Sequence, residues 1–334
     1  MMDQPADPFG ETGWRAHRKV VSVLGARVNI ECNHRGLLAL AERAFDGLPA
    51  HRLGESRSLR LVLKCAGNDS TAHWTQPPAP RLASGDGFLF SSIDPQTFAL
   101  VAPGALTALV HVSPRALRFP YHVRYELIEF AGLTLSARTQ RLIPLHAACF
   151  CSDGRAVLVL GDSGAGKSTL CLTAALAGFE LLSEDSVFVE AESLLATGVA
   201  NFLHLRTDGL KFVDDVKTRR TLESAPTIRR RSGVRKLEID LRAGVLPVAR
   251  RATRLGAVVV LSARRAKARP VLRGLGRAGV MAALRASQGY ARAQPGWRTF
   301  ERNIARLPGY LLERGAHPRD GAAALRDALR GMGR

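Results

Sequence analysis

The chain has 334 residues, of which 46% are hydrophobic, and it carries a formal net charge of +19. This length predicts two domains, and the apolar share is typical of proteins that bury a core. No apolar run reaches the roughly 18 residues of a membrane span, and residues 1–13 lack the basic and apolar regions of a signal peptide. The five cysteines show no CxxC spacing, which favours reduced thiols over disulfides or zinc. We therefore expect a cytoplasmic protein with no membrane partner.

Residues 1–140 mix strand-like and helical patterns and predict a small α/β domain that docks a substrate or partner. Strands are indicated for 19–32 and 58–65, which are rich in Val, Leu and Ile. Between them the spacing of apolar residues predicts a helix capped by Asn33. Other predicted elements are an exposed loop (67–87), a hairpin turning at Asp94-Pro95 (87–103) and a helix (121–139). No catalytic set of residues is visible in this part.

Residues 141–334 predict a second α/β domain. A strand, a turn at Asp153-Gly154 and a second strand come first, and the Asp-Gly pair is a strong hairpin signal. The second strand leads into a glycine-rich loop and a helix that ends at Gly178. The strand-like segment "ELLSEDSVFVE" follows. From about Gly276 the pattern is helical to the end of the chain.

The glycine-rich loop matches a phosphate-binding sequence. The segment "VLVLGDSGAGKST" contains GxxxxGK[ST] after a strand and at the start of a helix. Its backbone N–H groups are expected to surround phosphates, Lys167 to reach the β/γ phosphates, and Ser168 to hold Mg²⁺. The sequence thus predicts ATP and Mg²⁺ as ligands. The expected nucleotide-binding residues in the loop are Gly161, Asp162, Ser163, Gly164, Ala165, Gly166, Lys167, Ser168 and Thr169.

A carboxylate partner for this loop is not found where many P-loop ATPases have it. The apolar segment 254–262 ends in serine, and neither an ABC-type signature nor a guanine-reading motif is present. The nearest acidic strand holds Glu184 and Asp185. An unpaired buried carboxylate is costly, so Asp185 is difficult to explain structurally. Strand alternation places Glu184 on the opposite face, where it is either exposed or, if the strand bulges, in contact with metal.

The segment 145–189 resembles the catalytic domain of the bacterial HPr kinase/phosphorylase family. These are P-loop serine kinases with a fold akin to that of phosphoenolpyruvate carboxykinase. His146 stands 15 residues before Gly161, GDSGxGKS is matched up to Ser168, and Glu184-Asp185 occupies the position of an acidic pair after the P-loop helix.

The resemblance implies a P-loop kinase domain with a strongly bent, mixed sheet, and Mg-ATP-dependent phosphorylation of a serine-type hydroxyl. It implies that Asp185 is the general base and that His146 modulates proton transfer beside it. Lys167 completes the catalytic set. The candidate metal ligands are Ser168, Asp185 and Glu184. Arg206 matches an arginine of the family's Glu-x-Arg-Gly segment and is expected to bind phosphate, with His204 where the family has an acid.

Three features depart from the family and bear on the substrate. The P-loop continues Ser-Thr rather than Ser-Glu, Glu184 replaces an aspartate, and residues 1–140 look unrelated. A precursor or carrier peptide, as in relatives such as lasso-peptide precursor kinases, therefore suits this chain better than HPr. The alternative is a nucleotide-binding regulatory or assembly ATPase without phosphotransfer. A nucleic-acid-binding ATPase is a third hypothesis, which only the charge supports, and we do not expect nucleic acid as a partner.

Positive charge is concentrated in one stretch. Residues 217–269 hold 16 basic and 3 acidic residues, but only seven of the 48 basic residues in the chain are lysine. An arginine-rich composition raises the charge of any surface, so this stretch is either a solvated face or a docking surface for an acidic partner. We also expect a homo-oligomer.

Overall fold

The computed structural model describes residues 17–53, 57–66 and 74–331. The predictions for residues 1–13 and for 67–73 lie outside this part of the chain. The chain divides into two compact units. The described residues of the first lie within 17–21, Ala26–Asp46 and Arg57–Ser136, and those of the second within Ser22–Gly25, Gly47–Ser56 and Ala137–Arg334.

The first unit is built on a seven-stranded sheet. Its strands are β1 (His17–Val23), β2 (Ala26–Cys32), β3 (Ser58–Cys65), β4 (Arg81–Gly85), β5 (Phe88–Asp94), β6 (Thr97–Ala102) and β7 (Thr107–Val112). The strand order is β1-β2-β3-β7-β6-β5-β4, with β2, β3 and β7 parallel to one another. The helices are α1 (Arg35–Phe45), α2 (Pro120–His122), a π-helical segment (Val123–Glu129) and α3 (Phe130–Thr139).

The predicted hairpin of this unit is confirmed. Strands β5 and β6 are antiparallel and turn at Asp94-Pro95. The turn is closed by the Gln96 amide, which donates to Asp94 Oδ1 at 2.8 Å. An aspartate side chain that accepts from the backbone two residues later is typical of tight turns.

Three predictions for this unit need correction. The segment 19–32 forms two strands, not one, because Leu24 and Gly25 reverse the chain with φ of 50° and 85°. Part of the expected loop is strand β4, which pairs with β5. The cap of α1 is His34, whose Nδ1 accepts from the Leu37 amide at 3.3 Å. Asn33 does not cap the helix because its side-chain amide bonds the Cys65 backbone at 2.8 and 2.9 Å.

The second unit contains the remaining twelve strands of the described chain. They are β8 (Ile143–His146), β9 (Ala148–Ser152), β10 (Arg155–Leu160), β11 (Glu180–Ser183), β12 (Ser186–Val189), β13 (Leu195–Gly198), β14 (Phe202–Leu205), β15 (Thr227–Arg229), β16 (Arg235–Asp240), β17 (Thr253–Arg265), β18 (Val271–Leu275) and β19 (Gly309–Arg314). Its helices are α4 (Lys167–Leu176), α5 (Val216–Glu223), α6 (Arg277–Ser287), α7 (Gly289–Arg292), α8 (Trp297–Ile304) and α9 (Pro318–Gly331).

The main sheet of this unit is mixed, as predicted. Its path is β11-β9-β10-β17-β13-β12-β8, with β19 also paired to β17 and β18 paired to β19. Strands β10, β17 and β19 run parallel, and the other pairs are antiparallel. A separate antiparallel sheet has the order β14-β16-β15. The strand β19 corrects the expectation of an unbroken helical region after Gly276.

Both faces of the main sheet are covered by helices. Val157 and Val159 of β10 belong to one hydrophobic cluster with residues of α4 and α9. Leu158 and Leu160 belong to a second cluster with residues of α6 and α8. This two-sided burial explains why β10 is apolar from Ala156 to Leu160, after the exposed Arg155. The α/β class is thus shown for this unit, whereas the strong bend stays a prediction.

Within the described residues, no helix has both the length and the apolar character needed to cross a membrane.

Candidate active site

The glycine-rich loop joins the carboxyl end of β10 to α4, as predicted. Gly166 has φ of 99° and is the N-cap of α4, a backbone conformation that favours glycine. Gly161 is required for a different reason. A Cβ placed there would lie 3.1 Å from Leu261 Cβ and 3.2 Å from Ala165 Cβ. The loop therefore packs closely against the end of β17, the apolar strand without a carboxylate.

Lys167 lies over the beginning of this loop. Its ammonium donates to the carbonyl oxygens of Gly161 at 2.6 Å and Asp162 at 3.3 Å, and the residue is buried. The loop is closed by a turn in which the Ala165 amide donates to Asp162 O at 3.0 Å. The loop thus holds a lysine charge at the N-terminus of a ten-residue helix, where anions are stabilised.

Glu184 is the carboxylate that meets the loop. The Ser168 hydroxyl donates to its Oε1. Its other oxygen accepts from the backbone amide of His204 at 3.3 Å. The chain is not in a strand here, because β11 ends at Ser183 and β12 begins at Ser186. Strand alternation does not apply across that break, and Glu184 is buried, so the alternative of an exposed Glu184 is wrong.

The buried side chain of His204 connects Glu184 to a second carboxylate, Glu238. His204 Nδ1 is 3.4 Å from Glu184 Oε2, and its Nε2 is 3.4 Å from Glu238 Oε1. Burial opposes ionisation of Glu184, but hydrogen bonds from His204 and Ser168 outweigh it and lower the pKa of Glu184 to about 2. Burial likewise disfavours the His204 cation, yet the hydrogen bonds to Glu184 and Glu238 give a net rise in its pKa. Glu184 is thus held as an anion beside Ser168.

Asp185 faces a different partner from its neighbour. Its Oδ1 lies 3.2 Å from His146 Nδ1, and both side chains are partly exposed. The two residues are brought together by strand pairing, since His146 is opposite Ser186 and the Ala147 amide donates to Asp185 O at 3.2 Å. The predicted pair of His146 and Asp185 is therefore formed, with access to solvent.

Gln288 fixes the backbone of His146 and was not found by sequence reasoning. Its Oε1 accepts from the His146 amide at 2.8 Å, and its Nε2 donates to His146 O at 3.0 Å. Gln288 is 3% exposed and lies between α6 and α7. A glutamine 142 residues away carries no motif, so no local signal could have linked it to His146.

Lys236 is a second cation that motif reasoning did not assign to the site. It is two residues from Glu238 on β16, so the two side chains share one face of that strand. Burial lowers the pKa of Lys236, and the nearby carboxylates of Glu184 and Asp185 oppose that shift.

Arg206 forms no hydrogen bond or ion pair with the loop within the described part of the chain. Its Nε bonds Asp208 Oδ1 at 3.3 Å, and two thirds of its side chain is exposed. The neighbouring His204 makes the contact with Glu184 instead. Among the residues proposed for the site, the structure joins Ser168 to Glu184 and His146 to Asp185, and it leaves Arg206 with Asp208.

Comparisons with known proteins give distant structural similarity only. No protein-family model matches the chain. No curated protein matches it either. Among solved structures, it is similar to the Hpr(Ser) kinase/phosphatase from Coxiella burnetii, at 12% identity and a TM-score of 0.30, over 57% of this chain and 99% of that one. At this level of similarity the neighbour does not assign a function to the chain.

Proposed function

We propose that the protein is a Mg-ATP-dependent kinase that transfers the γ-phosphate to a serine-type hydroxyl of a peptide or protein. The observation that carries the proposal is the division of roles between two adjacent carboxylates. Glu184 is buried against the P-loop serine, whereas Asp185 is partly exposed beside His146. A protein that only binds nucleotide needs the first arrangement and has no use for the second.

The residues of the loop fit a magnesium nucleotide. Mg²⁺ in nucleotide sites is held by one or two protein oxygens together with phosphates and water. Ser168 and the ionised Glu184 supply such oxygens. The described residues contain no cluster of three or more His, Cys, Asp or Glu side chains arranged to hold a metal by themselves. When bound, the metal would neutralise charge on the β and γ phosphates. Lys167 would exchange its carbonyl partners for phosphate oxygens.

Asp185 would orient the acceptor hydroxyl and accept its proton. Its carboxylate is accessible, as a base that meets an incoming side chain must be. His146 would hold the Asp185 carboxylate in position through its Nδ1, and Gln288 would hold the backbone of His146. The proton would leave the acceptor oxygen as that oxygen bonds to phosphorus and the bond to the leaving diphosphate breaks.

We further propose an acidic peptide as the acceptor, bound by the hairpin of β15 and β16. Arg229 and Arg235 lie directly opposite each other on this hairpin, and both are exposed. Like charges in this arrangement destabilise a strand pair. A carboxylate of the acceptor would relieve that repulsion, and this supports the docking surface over the solvated face for the basic stretch. A dedicated precursor peptide fits this requirement.

The test compares transfer with nucleotide binding in matched variants. In Asp185→Asn, transfer of radiolabelled γ-phosphate to serine peptides with acidic flanks should fall about 10²- to 10⁴-fold, the usual range for a positioned base. Binding of Mg-ATP, measured by calorimetry, should survive in this variant. Lys167→Ala should lose both. The control is Asp153→Asn in the exposed β9–β10 turn, where φ of 52° suits asparagine and no effect is expected.

Two results would contradict the proposal. Unchanged transfer in Asp185→Asn would remove the kinase assignment and favour the regulatory ATPase. Equal loss of binding and transfer in Asp185→Asn, with Asp153→Asn normal, would make Asp185 a metal ligand instead of a base.

A further inference from the structure

Arg314, the last residue of β19, lies against the phosphate-binding loop. A Cβ placed on Gly166 would lie 2.5 Å from Arg314 Nη1 and 3.4 Å from its Cζ. The parallel strands β10, β17 and β19 all end at this edge of the sheet, so the loop after β10 and the end of β19 meet. Carboxyl ends of parallel strands are where ligands bind in α/β sheets.

The guanidinium of Arg314 is incompletely satisfied. Its Nε is buried and has no hydrogen-bond partner among the described residues. It forms no ion pair with a carboxylate of the described chain, since none of those salt bridges involves it. A partly buried cation without an anion is unfavourable in isolation.

A second arginine increases the positive charge at this position. Arg265 of β17 is the strand partner of Arg314 in the parallel register. Burial, together with the like charge of Arg265, lowers the pKa of Arg314. The paired arginines, of which Arg314 lies next to the N-cap of α4, concentrate positive charge that an anion would stabilise.

We propose that Arg314 is a phosphate-binding residue of the nucleotide site, which extends the P-loop with a guanidinium from β19. The inference rests on the proposed function, because the anion it assigns is the polyphosphate of a nucleoside di- or triphosphate. Arginine binds phosphate oxygens through two parallel N–H donors, and Lys167 acts only as a point charge. Arg314 thereby adds directional contacts that the loop lysine does not supply.

The test measures binding of Mg-ATP and of inorganic tripolyphosphate to the full chain. Arg314→Gln should weaken both by about 10- to 100-fold, as expected for loss of a charged hydrogen-bonded contact. It should also reduce the salt dependence of the dissociation constants. Arg314→Lys keeps the charge without the paired donors and should show a smaller loss. The matched control is Arg273→Gln, an exposed arginine on the neighbouring strand β18, which should bind like the wild type.

Wild-type affinity for tripolyphosphate in Arg314→Gln would overturn the inference. Tighter binding would also overturn it, because Arg314 would then obstruct the anion site instead of binding the anion. A loss of ATP affinity with an unchanged tripolyphosphate affinity would also overturn it, because phosphate would not be the group contacted. Thermal unfolding of each variant identifies any loss of binding caused by misfolding. If Arg314→Gln is misfolded, the tripolyphosphate affinity of Arg314→Lys tests the inference instead. If the wild type binds neither probe and Lys167→Ala changes nothing, the proposed function itself fails.

Discussion

Removal of Gln288 should impair phosphotransfer without impairing nucleotide binding. Gln288 touches the backbone of His146 on both its N–H and C=O groups, and it has no contact with the P-loop among its hydrogen bonds in the described chain. Gln288→Ala would release the residue that positions Asp185. A shift of about 1 Å in a catalytic group costs up to about 100-fold in rate, so we expect transfer to fall about 10- to 100-fold.

The stability cost of this change follows from the bonds that are lost. Each neutral hydrogen bond contributes about 0.5–1.5 kcal/mol net, so two bonds to His146 predict a loss of about 2 kcal/mol in unfolding free energy. Gln288→Glu keeps the size of the side chain and changes only its hydrogen bonding and charge. It keeps an acceptor for the His146 amide but removes the donors to His146 O and Ser287 Oγ, both at 3.0 Å. Since a buried carboxylate facing the His146 carbonyl oxygen is costly, this variant should lose at least as much stability as the alanine variant.

Gln294→Ala is the matched control for this experiment. Gln294 is also a buried glutamine, and its Nε2 donates to the Tyr290 carbonyl at 3.0 Å, four residues earlier in the chain, instead of to His146. Urea unfolding monitored by tryptophan fluorescence and radiolabelled phosphate transfer are measured for all three variants. If Gln288→Ala and Gln294→Ala lose stability equally and retain equal transfer, His146 is not positioned by Gln288 and the reasoning is refuted.

Two further predictions concern pH and partner binding. Burial lowers the pKa of His51, whose ring bonds Thr197 Oγ1 at 2.6 Å and Ala249 O at 2.9 Å. The unfolded form therefore binds protons first as the pH falls below about 6.5, and the wild type should lose stability as the pH is lowered from 7 to 5.5. Urea titrations of His51→Gln should show a weaker pH dependence, and identical slopes would contradict this. For the acceptor, Arg229→Gln with Arg235→Gln should raise the KM of acidic peptides and flatten its salt dependence, while ATP affinity stays unchanged. The control is Arg250→Gln with Arg251→Gln, also exposed and in the same basic stretch, and an equal effect of both pairs would rule out a specific docking hairpin.

Local signals in the sequence were sufficient to predict the position of the glycine-rich loop and of two turns. The Asp153-Gly154 turn has φ of 52° and 74°, which explains why an aspartate and a glycine stand there. Gly178, with φ of 91°, follows the last turn of α4 as expected. These features depend on residues close in sequence, so residue type alone predicts them. The cap of α1 could not be predicted in this way, because the long-range bonds to Cys65 decide what Asn33 does.

Strand β19, in contrast, could not be predicted from local sequence. Its six residues "GYLLER" lie between helices α8 and α9, and a short apolar run in that setting does not distinguish strand from helix. Its identity depends on parallel pairing with β17 about fifty residues earlier. The same pairing brings Arg314 to the phosphate-binding loop, so a residue in an apparently helical tail becomes a candidate for phosphate binding only through tertiary structure.

The two neighbouring acidic residues show how a break in a strand creates two chemical environments. An unbroken strand would send Glu184 and Asp185 to opposite faces of one sheet. Instead β11 pairs with β9 and β12 pairs with β8 and β13, so the two residues occupy the transition between different parts of the sheet. Glu184 enters a buried set of contacts with Ser168 and His204, which keeps it ionised. Asp185 stays partly exposed beside His146. The proposed kinase would need one carboxylate that remains an anion to hold a metal and another that can reach the substrate, and the break in the strand gives the two residues these different environments.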